Sequence, residues 1–189
     1  MQTQKVREAI ADRKNAWTLF TSTGKILEDA GLSPLVAASW TRCGLRMNPN
    51  SPLNWDYASD STLKSTLKQH TTLRNIARPI MEDIYEFMEG SRSALILMDS
   101  TGCLLEMIGE PGLIQELQAM GLRSGAYLDE GHIETNAIAV TLFEAMPAQV
   151  IGPEHFFLKL HEFSSTAAPV HTIEGHPVGV FALVEPIQQ

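Results

Sequence analysis

Residues 93–109 read SALILMDSTGCLLEMIG. The run from Ser93 to Asp99 is short and apolar at successive positions, the mark of a strand buried on both faces inside a sheet. Asp99-Ser100-Thr101-Gly102 supplies turn chemistry, and Cys103 to Gly109 returns as a second strand, so the two runs form a β-hairpin. Upstream of Gly90 the apolar residues outside the loop 47–58 follow a helical period instead. The chain therefore divides at this point into a helical region, 1–90, and a mixed sheet region, 91–189.

Upstream, a long helix is predicted from about Ser61 to Glu89, with Ile76, Ile80, Ile84 and Phe87 as its stripe, a kink at Pro79 and a stop at Gly90. Residues 47–58 (MNPNSPLNWDYA) are rich in Pro and Asn and read as a loop. Ser33-Pro34 is a helix start, because Ser can cap the free N–H groups and Pro at the first helical position gives up nothing. That helix should run to Gly44, a natural C-terminal stop. Residues 3–30 place Val6, Ile10, Trp17 and Phe20 on one narrow stripe, interrupted by Arg13. The stripe fits either a seam with a second copy of the chain or a helix folded onto its own domain.

Downstream, residues 112–120 read as a helix and residues 121–134 as a glycine-containing loop. TNAIAVTLFEA reads as a helix capped by Thr135, AQVIG as a strand, and PEHFFLKLHE as a helix opening on Pro153. SSTAAPVHTI and HPVGVFALVE are strands joined at Glu174-Gly175. The expected fold is α+β: one antiparallel sheet with helices packed around it and an N-terminal helical extension. Propensity alone does not separate GAF, PAS and profilin-like layouts.

Composition narrows the function. With 189 residues, 44% hydrophobic and 19% charged, the chain can fill a core. A formal net charge of −8 argues against nucleic-acid binding, which needs a basic face. Cys43 and Cys103 suit neither a disulfide framework nor a zinc knuckle and read as reduced thiols of a cytoplasmic protein. The start lacks the apolar core of a signal peptide, and no apolar run reaches the length of a membrane span.

Several motifs together identify a family. SPLVAASWTRC (33–43) matches the pattern SP-x-V-x-x-SW-x-RC, LMDSTGCLLEMIG (97–109) matches a hairpin of the form LD-x-x-G-x-[IV]-L-x-x-x-G, and PAQVIGPEHF (147–156) matches P-x-Q-V-x-G-x-EHF. The chain thus resembles the GAF-type N-terminal sensor region of bacterial sigma-54-dependent transcription activators, of the acetoin- and dihydroxyacetone-regulator type. The resemblance implies a GAF-like domain under control by a small-molecule effector or a regulatory protein; no cofactor is expected, and the stripe of Val6, Ile10, Trp17 and Phe20 makes a homodimer the expected state. In the dihydroxyacetone regulators the sensor region engages subunits of the sugar kinase. The output, an AAA+ ATPase that meets the RNA polymerase sigma factor and a DNA-binding helix-turn-helix, lies outside these residues. Three positions depart from the family pattern. Glu134 stands where Gly leads the helix, so a turn needing positive φ would be strained. Leu128-Asp129-Glu130-Gly131 keeps only Glu130 of a Trp-Ser-Glu-Glu pattern. Ser165 stands where Cys is frequent.

The candidate ligand-binding residues are Tyr127, Asp129, Glu130, His132, Glu134, Thr135 and Asn136, between the sheet and the loop 125–136. Free N–H groups at a helix start beside a polar loop can meet a small molecule, and the acidic residues favour a neutral polyol, ketone or cation. Capping by Thr135 and loop anchoring by Asn136 explain those two residues equally well. His155 and His161 do not make a metal pair, because six residues on a helix leave them about 120° apart. Trp40 reads as buried and Arg42 as the partner of a carboxylate. No nucleophile with an orienting base and no phosphate loop is present. Three readings follow: a metabolite or partner sensor, a docking module without ligand, and an enzyme of the GAF methionine sulfoxide reductase type, for which the cysteines are too few.

Overall fold

A computed structural model describes residues 2–27, 31–44 and 46–187; the side chain of Val6 lies outside what is described. The elements run α1 (Gln2–Thr23), α2 (Pro34–Cys43), α3 (Asp60–Gln69), α4 (Thr71–Phe87), β1 (Ala94–Asp99), β2 (Leu104–Gly109), α5 (Pro111–Ala119), α6 (Glu130–Ile133), α7 (Ala137–Glu144), β3 (Ala148–Ile151), β4 (Phe163–His171) and β5 (Pro177–Pro186). One five-stranded sheet has the order β2-β1-β5-β4-β3, and its neighbouring strands are antiparallel. All six residues of β1 are buried, as its two-sided apolar character requires.

The sheet separates two cores. On the inner face α1, α2, α5 and α7 contribute Trp17, Phe20, Val36, Trp40, Leu113, Leu117 and Ile138, which pack against Ile96, Met98, Val180, Ala182 and Val184. The helices of 1–90 therefore share a core with the sheet. On the outer face Met81 of α4 is fully buried over Leu95, Leu97 and Leu105. The start and stop of α2 follow the sequence reading. Ser33 Oγ accepts from Val36 N, Pro34 opens the helix, and Gly44 leaves it at φ 62°.

Five local expectations are corrected. The predicted helix 61–89 is two helices, α3 and α4, broken at His70 (φ −94°, ψ 20°); the Thr71 hydroxyl turns back to the carbonyls of Leu67 and Lys68. Helix α4 continues through Pro79, but its buried line is Leu73, Ala77, Met81, Ile84 and Tyr85. Ile76, Ile80 and Phe87 are exposed instead. The loop 121–134 contains the single turn α6.

PEHFFLKLHE is not a helix: it holds two 3-10 turns, Gly152–Glu154 and Leu158–Leu160. Its backbone groups are claimed from outside. Trp40 Nε1 donates to Glu154 O at 2.9 Å and Trp17 Nε1 to Phe156 O at 2.8 Å. Phe156 N donates to Thr135 O and Leu158 N to Pro49 O. Buried N–H and C=O groups satisfied this way are lost to a helical ladder. Finally, α7 is capped by Asn136, whose side chain accepts from Ala139 N, and not by Thr135.

Trp17 (7% exposed) and Phe20 (2%) are buried in their own chain. Phe20 stacks on Trp40 with centroids 4.9 Å apart. Arg13, which interrupts the stripe, pairs with the buried carboxylate of Glu154 at 2.7 Å. At this end of α1 the stripe belongs to the domain's own core and is not an open seam.

Candidate functional site

The seven candidate residues do not line one cavity. The structure divides them into a surface cluster, a buried ion network and an interior position.

Tyr127, Asp129 and His132 form the surface cluster. Asp129 caps α6 by accepting from Gly131 N, and its other oxygen lies 2.5 Å from His132 Nδ1. His132 Nε2 faces Asp56 at 3.7 Å, and its ring stacks on Tyr127. These contacts tie the loop to residues 55–57.

Glu130, Glu134 and Thr135 form the ion network with α2. Arg42 is clamped between Glu130 (2.8 Å) and Glu144 (2.7 Å), and these carboxylates hold its guanidinium above its ordinary pKa. Ser39 Oγ donates to Glu130 Oε1 at 2.6 Å and lies 2.8 Å from Thr135 Oγ1. Arg42 thus does what the sequence suggested.

Glu134 is the anomaly. It is fully buried at φ 52°, ψ −150°, backbone that glycine adopts freely and other residues only with strain. Neither carboxylate oxygen has a hydrogen-bond partner among the described residues; the guanidinium of Arg46 approaches to 3.5 Å without forming one. Burial pushes the Glu134 carboxyl above its usual range, against the pull of the Cys43 thiol and of Arg46. The strain expected of Glu in a glycine position is therefore present. Burial likewise pushes the Cys43 thiol up to about 12 and the Cys103 thiol up to about 11, so neither supplies a thiolate near neutral pH.

Asn136 is interior. Its Nδ2 donates to Leu128 O and Glu134 O, at 3.0 and 3.1 Å. It caps α7 and anchors the loop at once; the anchoring is as read from the sequence, whereas the sequence reading gives the cap to Thr135. It also borders an apolar cavity of about 50 Å³ lined by Trp55, Ile96, Leu117, Leu122, Leu128, Ile133, Ile138, Leu160, Phe163 and Val184 with the polar His155 and Ser165. Sequence reasoning missed this lining, because its members come from six segments far apart in the chain.

His155 is buried. Its Nδ1 lies 3.0 Å from Gly152 O and its Nε2 3.0 Å from Ser165 Oγ. One donor and one acceptor are what a neutral imidazole offers, and burial lowers its pKa to about 4. Ser165, at the position where the family often has Cys, is therefore a hydrogen-bond partner of His155. His161 Nε2 meets His155 O at 3.1 Å. The angular argument about this pair falls with the helix it assumed, and among the described residues no three His, Cys, Asp or Glu side chains are grouped as metal ligands.

With this geometry in view, the likenesses to known proteins take on meaning. No family model matches the chain. It is 30% identical, over 84% of its length and 25% of the relative's, to the PTS-dependent dihydroxyacetone kinase operon regulatory protein of Escherichia coli K12. It is 28% identical, over 87% of its length and 27% of the relative's, to the acetoin dehydrogenase operon transcriptional activator AcoR of Bacillus subtilis 168. Among solved structures, the E. coli DhaR(N) chain in its complex with DhaL superposes with a TM-score of 0.80 at 29% identity, over 83% of this chain and 54% of that one. The fold and the likenesses set the class, a GAF-like domain similar to part of bacterial operon regulators. Within that class the chain is related to the sensor regions of dihydroxyacetone- and acetoin-operon regulators, as its motifs implied. It spans about a quarter of the length of these curated relatives.

Proposed function

We propose that this chain is the input domain of a bacterial transcription activator and that it is read by docking of another protein, a counterpart of the DhaL seen with DhaR(N). The observation that carries the choice is the interior cavity. At about 50 Å³ it has room for one or two waters at roughly 30 Å³ each, far below the roughly 300–1,000 Å³ of ligand pockets, and the larger hollow of about 420 Å³ beside Arg42, Arg46, Asp129 and Glu130 is an open surface cleft that would not enclose a small molecule. Its lining is apolar, whereas a hydroxyketone needs polar partners. The seven loop residues then serve to hold the loop 125–136 against α2, residues 55–57 and α7, not as a ligand shell. Docking needs only a few kcal/mol of differential affinity between two states to control an output.

On this reading the domain is not an enzyme: both thiols are buried and protonated, and among the described residues no activated nucleophile is assembled. It uses no cofactor, works in the cytoplasm as part of a homodimer, and controls AAA+ and DNA-binding modules that meet the sigma factor. Among the described residues no helix is long and apolar enough to cross a membrane.

The test is calorimetry of the purified chain with a DhaL-type kinase subunit and, separately, with dihydroxyacetone and acetoin. Saturable binding of the protein with no heat from either ketone is expected. Micromolar binding of a ketone, lost in Asn136→Ala, would restore the metabolite reading.

A further inference from the structure

Helix α4 leaves half of the outer sheet face uncovered. Its contacts fall on β1 and β2. Arg74 and Arg78 reach Glu106 on β2, which fixes that flank of the helix over the β2 edge. At about 100° per residue, Ile76, Ile80 and Phe87 lie on the opposite flank, toward β5. These three side chains are 59%, 52% and 94% exposed. The sheet beside them continues as Phe181 and Leu183 on β5, half-buried against the outer core, then Thr166 and Ala168 on β4 and Gln149 on β3, all exposed. The result is an apolar step: an isoleucine-phenylalanine wall on one side and a sheet floor below.

The step has the width of one helix. Packed helices lie about 8–10 Å apart. That distance from α4, which sits over β1 and β2, falls over β5 and β4, two strands on at about 4.8 Å each. Helix α4, 17 residues or about 26 Å long, sets the length.

The solvent flank of the step is acidic. Asp83 and Glu86 of α4 and Glu89 just beyond it are exposed, and the last turn carries no basic residue; Glu82 turns the other way, to Arg78. Carboxylates near a helix C-terminus oppose the macrodipole, and a cationic partner relieves this. A second copy of the chain fits poorly. Related by a dyad, its own α4 would fill the step only if the two sheets sandwiched both helices, burying Asp83 and Glu86 against a sheet.

We propose that this step seats one basic amphipathic helix of the partner protein, apolar side chains against Ile76, Ile80, Phe87 and Phe181 and cations against the acidic flank. The inference rests on the docking function above and adds its location and chemistry.

The test uses a labelled peptide of about 18 residues, or about 27 Å, with leucines at helical spacing and lysines on its flanks. Its scrambled form and its glutamate-for-lysine form serve as controls, with binding read by fluorescence anisotropy against the intact chain. Saturable binding of the lysine peptide alone is expected. It should weaken at least about tenfold, as expected for loss of central apolar anchors, in Ile80→Glu/Phe87→Ala, and several-fold in Asp83→Lys/Glu86→Lys. Circular dichroism should show both variants folded, since these side chains point outward. Equal binding of the scrambled peptide, or unchanged affinity in the variants, would overturn the proposal. So would a wild-type dimer that Ile80→Glu converts to monomer, which would show a second copy on the step. If the kinase subunit still binds Ile80→Glu/Phe87→Ala fully, the location fails while the docking function stands; if it binds neither protein, the docking function itself fails.

Discussion

Glu134 concentrates the unfavourable terms of the site into one residue: positive φ, full burial and two carboxylate oxygens without hydrogen bonds. Its position was legible from the departure in the motif, because a turn that other chains fill with glycine predicts strain for any side chain. Glu134→Gly should therefore stabilise the domain by about 1–3 kcal/mol, read from chemical denaturation. The pH dependence follows from the raised carboxyl. The folded state favours the protonated form, so Glu134's contribution is fully present below the ordinary carboxylate range and is lost as pH rises through the raised value. The gain from glycine should accordingly be larger at pH 8 than at pH 4; an equal gain at both would show that backbone strain alone is at work. His155 has the opposite linkage. Its pKa falls to about 4 from an ordinary 6.5, so its stabilising contribution is present above pH 6.5 and drains away as pH falls toward 4. At about 1.36 kcal/mol per unit this is on the order of 3 kcal/mol. A denaturation midpoint that stays flat between pH 7 and pH 4 in wild type would contradict the neutral, doubly bonded imidazole.

Elements were readable where a local signal dictates them and unreadable where tertiary partners do. Ser33, Pro34 and Gly44 announce α2 by capping chemistry, and β1 declares itself by burial on both faces. Nothing local marks 153–162 as irregular, because its backbone is held by Trp17, Trp40 and Thr135 from other parts of the chain. The stripe on α4 misled for a related reason: the isoleucine period is real, but the sheet chose the Met81 face. The loop before α7 hangs on Asn136, which gives one acceptor to the helix and two donations to the loop. Asn136→Ala should cost about 2–4 kcal/mol by loss of the cap and of the partners of buried carbonyls. The same substitution on a helix with a merely solvated cap would cost under 1 kcal/mol, so a loss of that size would show that water replaces the side chain. Helix α1 makes a comparable demand. Trp17, Phe20 and Arg13 close over Phe156, Trp40 and Glu154. Truncation of residues 1–24 should leave a molten or aggregated product by near-UV circular dichroism, and a cooperatively folding 25–189 fragment would show that the shared core is dispensable.

At the scale of the whole molecule, charge rather than shape separates the possible partners. The motifs made the sensor class legible, and composition alone gave the net −8. What the sequence left hidden is how that charge is distributed. Arg13, Arg42, Arg74, Arg78 and Arg92 are each engaged by a carboxylate, so these five form no basic stripe, while Asp83 and Glu86 of α4 and Glu89 just beyond it gather acids beside exposed apolar side chains. Such a surface repels phosphate backbones and attracts cationic proteins. The chain should show no binding of duplex DNA by anisotropy at micromolar concentration, and salt-sensitive binding would overturn that expectation. Toward a basic protein partner, the association rate should drop steeply as ionic strength rises from about 0.01 to 0.15 M, because the Debye length shortens from about 30 to 8 Å. The dissociation rate should change little, since apolar contacts against Ile80 and Phe87 hold the complex once formed. Stopped-flow measurement of both rates separates steering from holding. A dissociation rate that carries the salt dependence would mean that ion pairs, and not the apolar step, keep the partner in place.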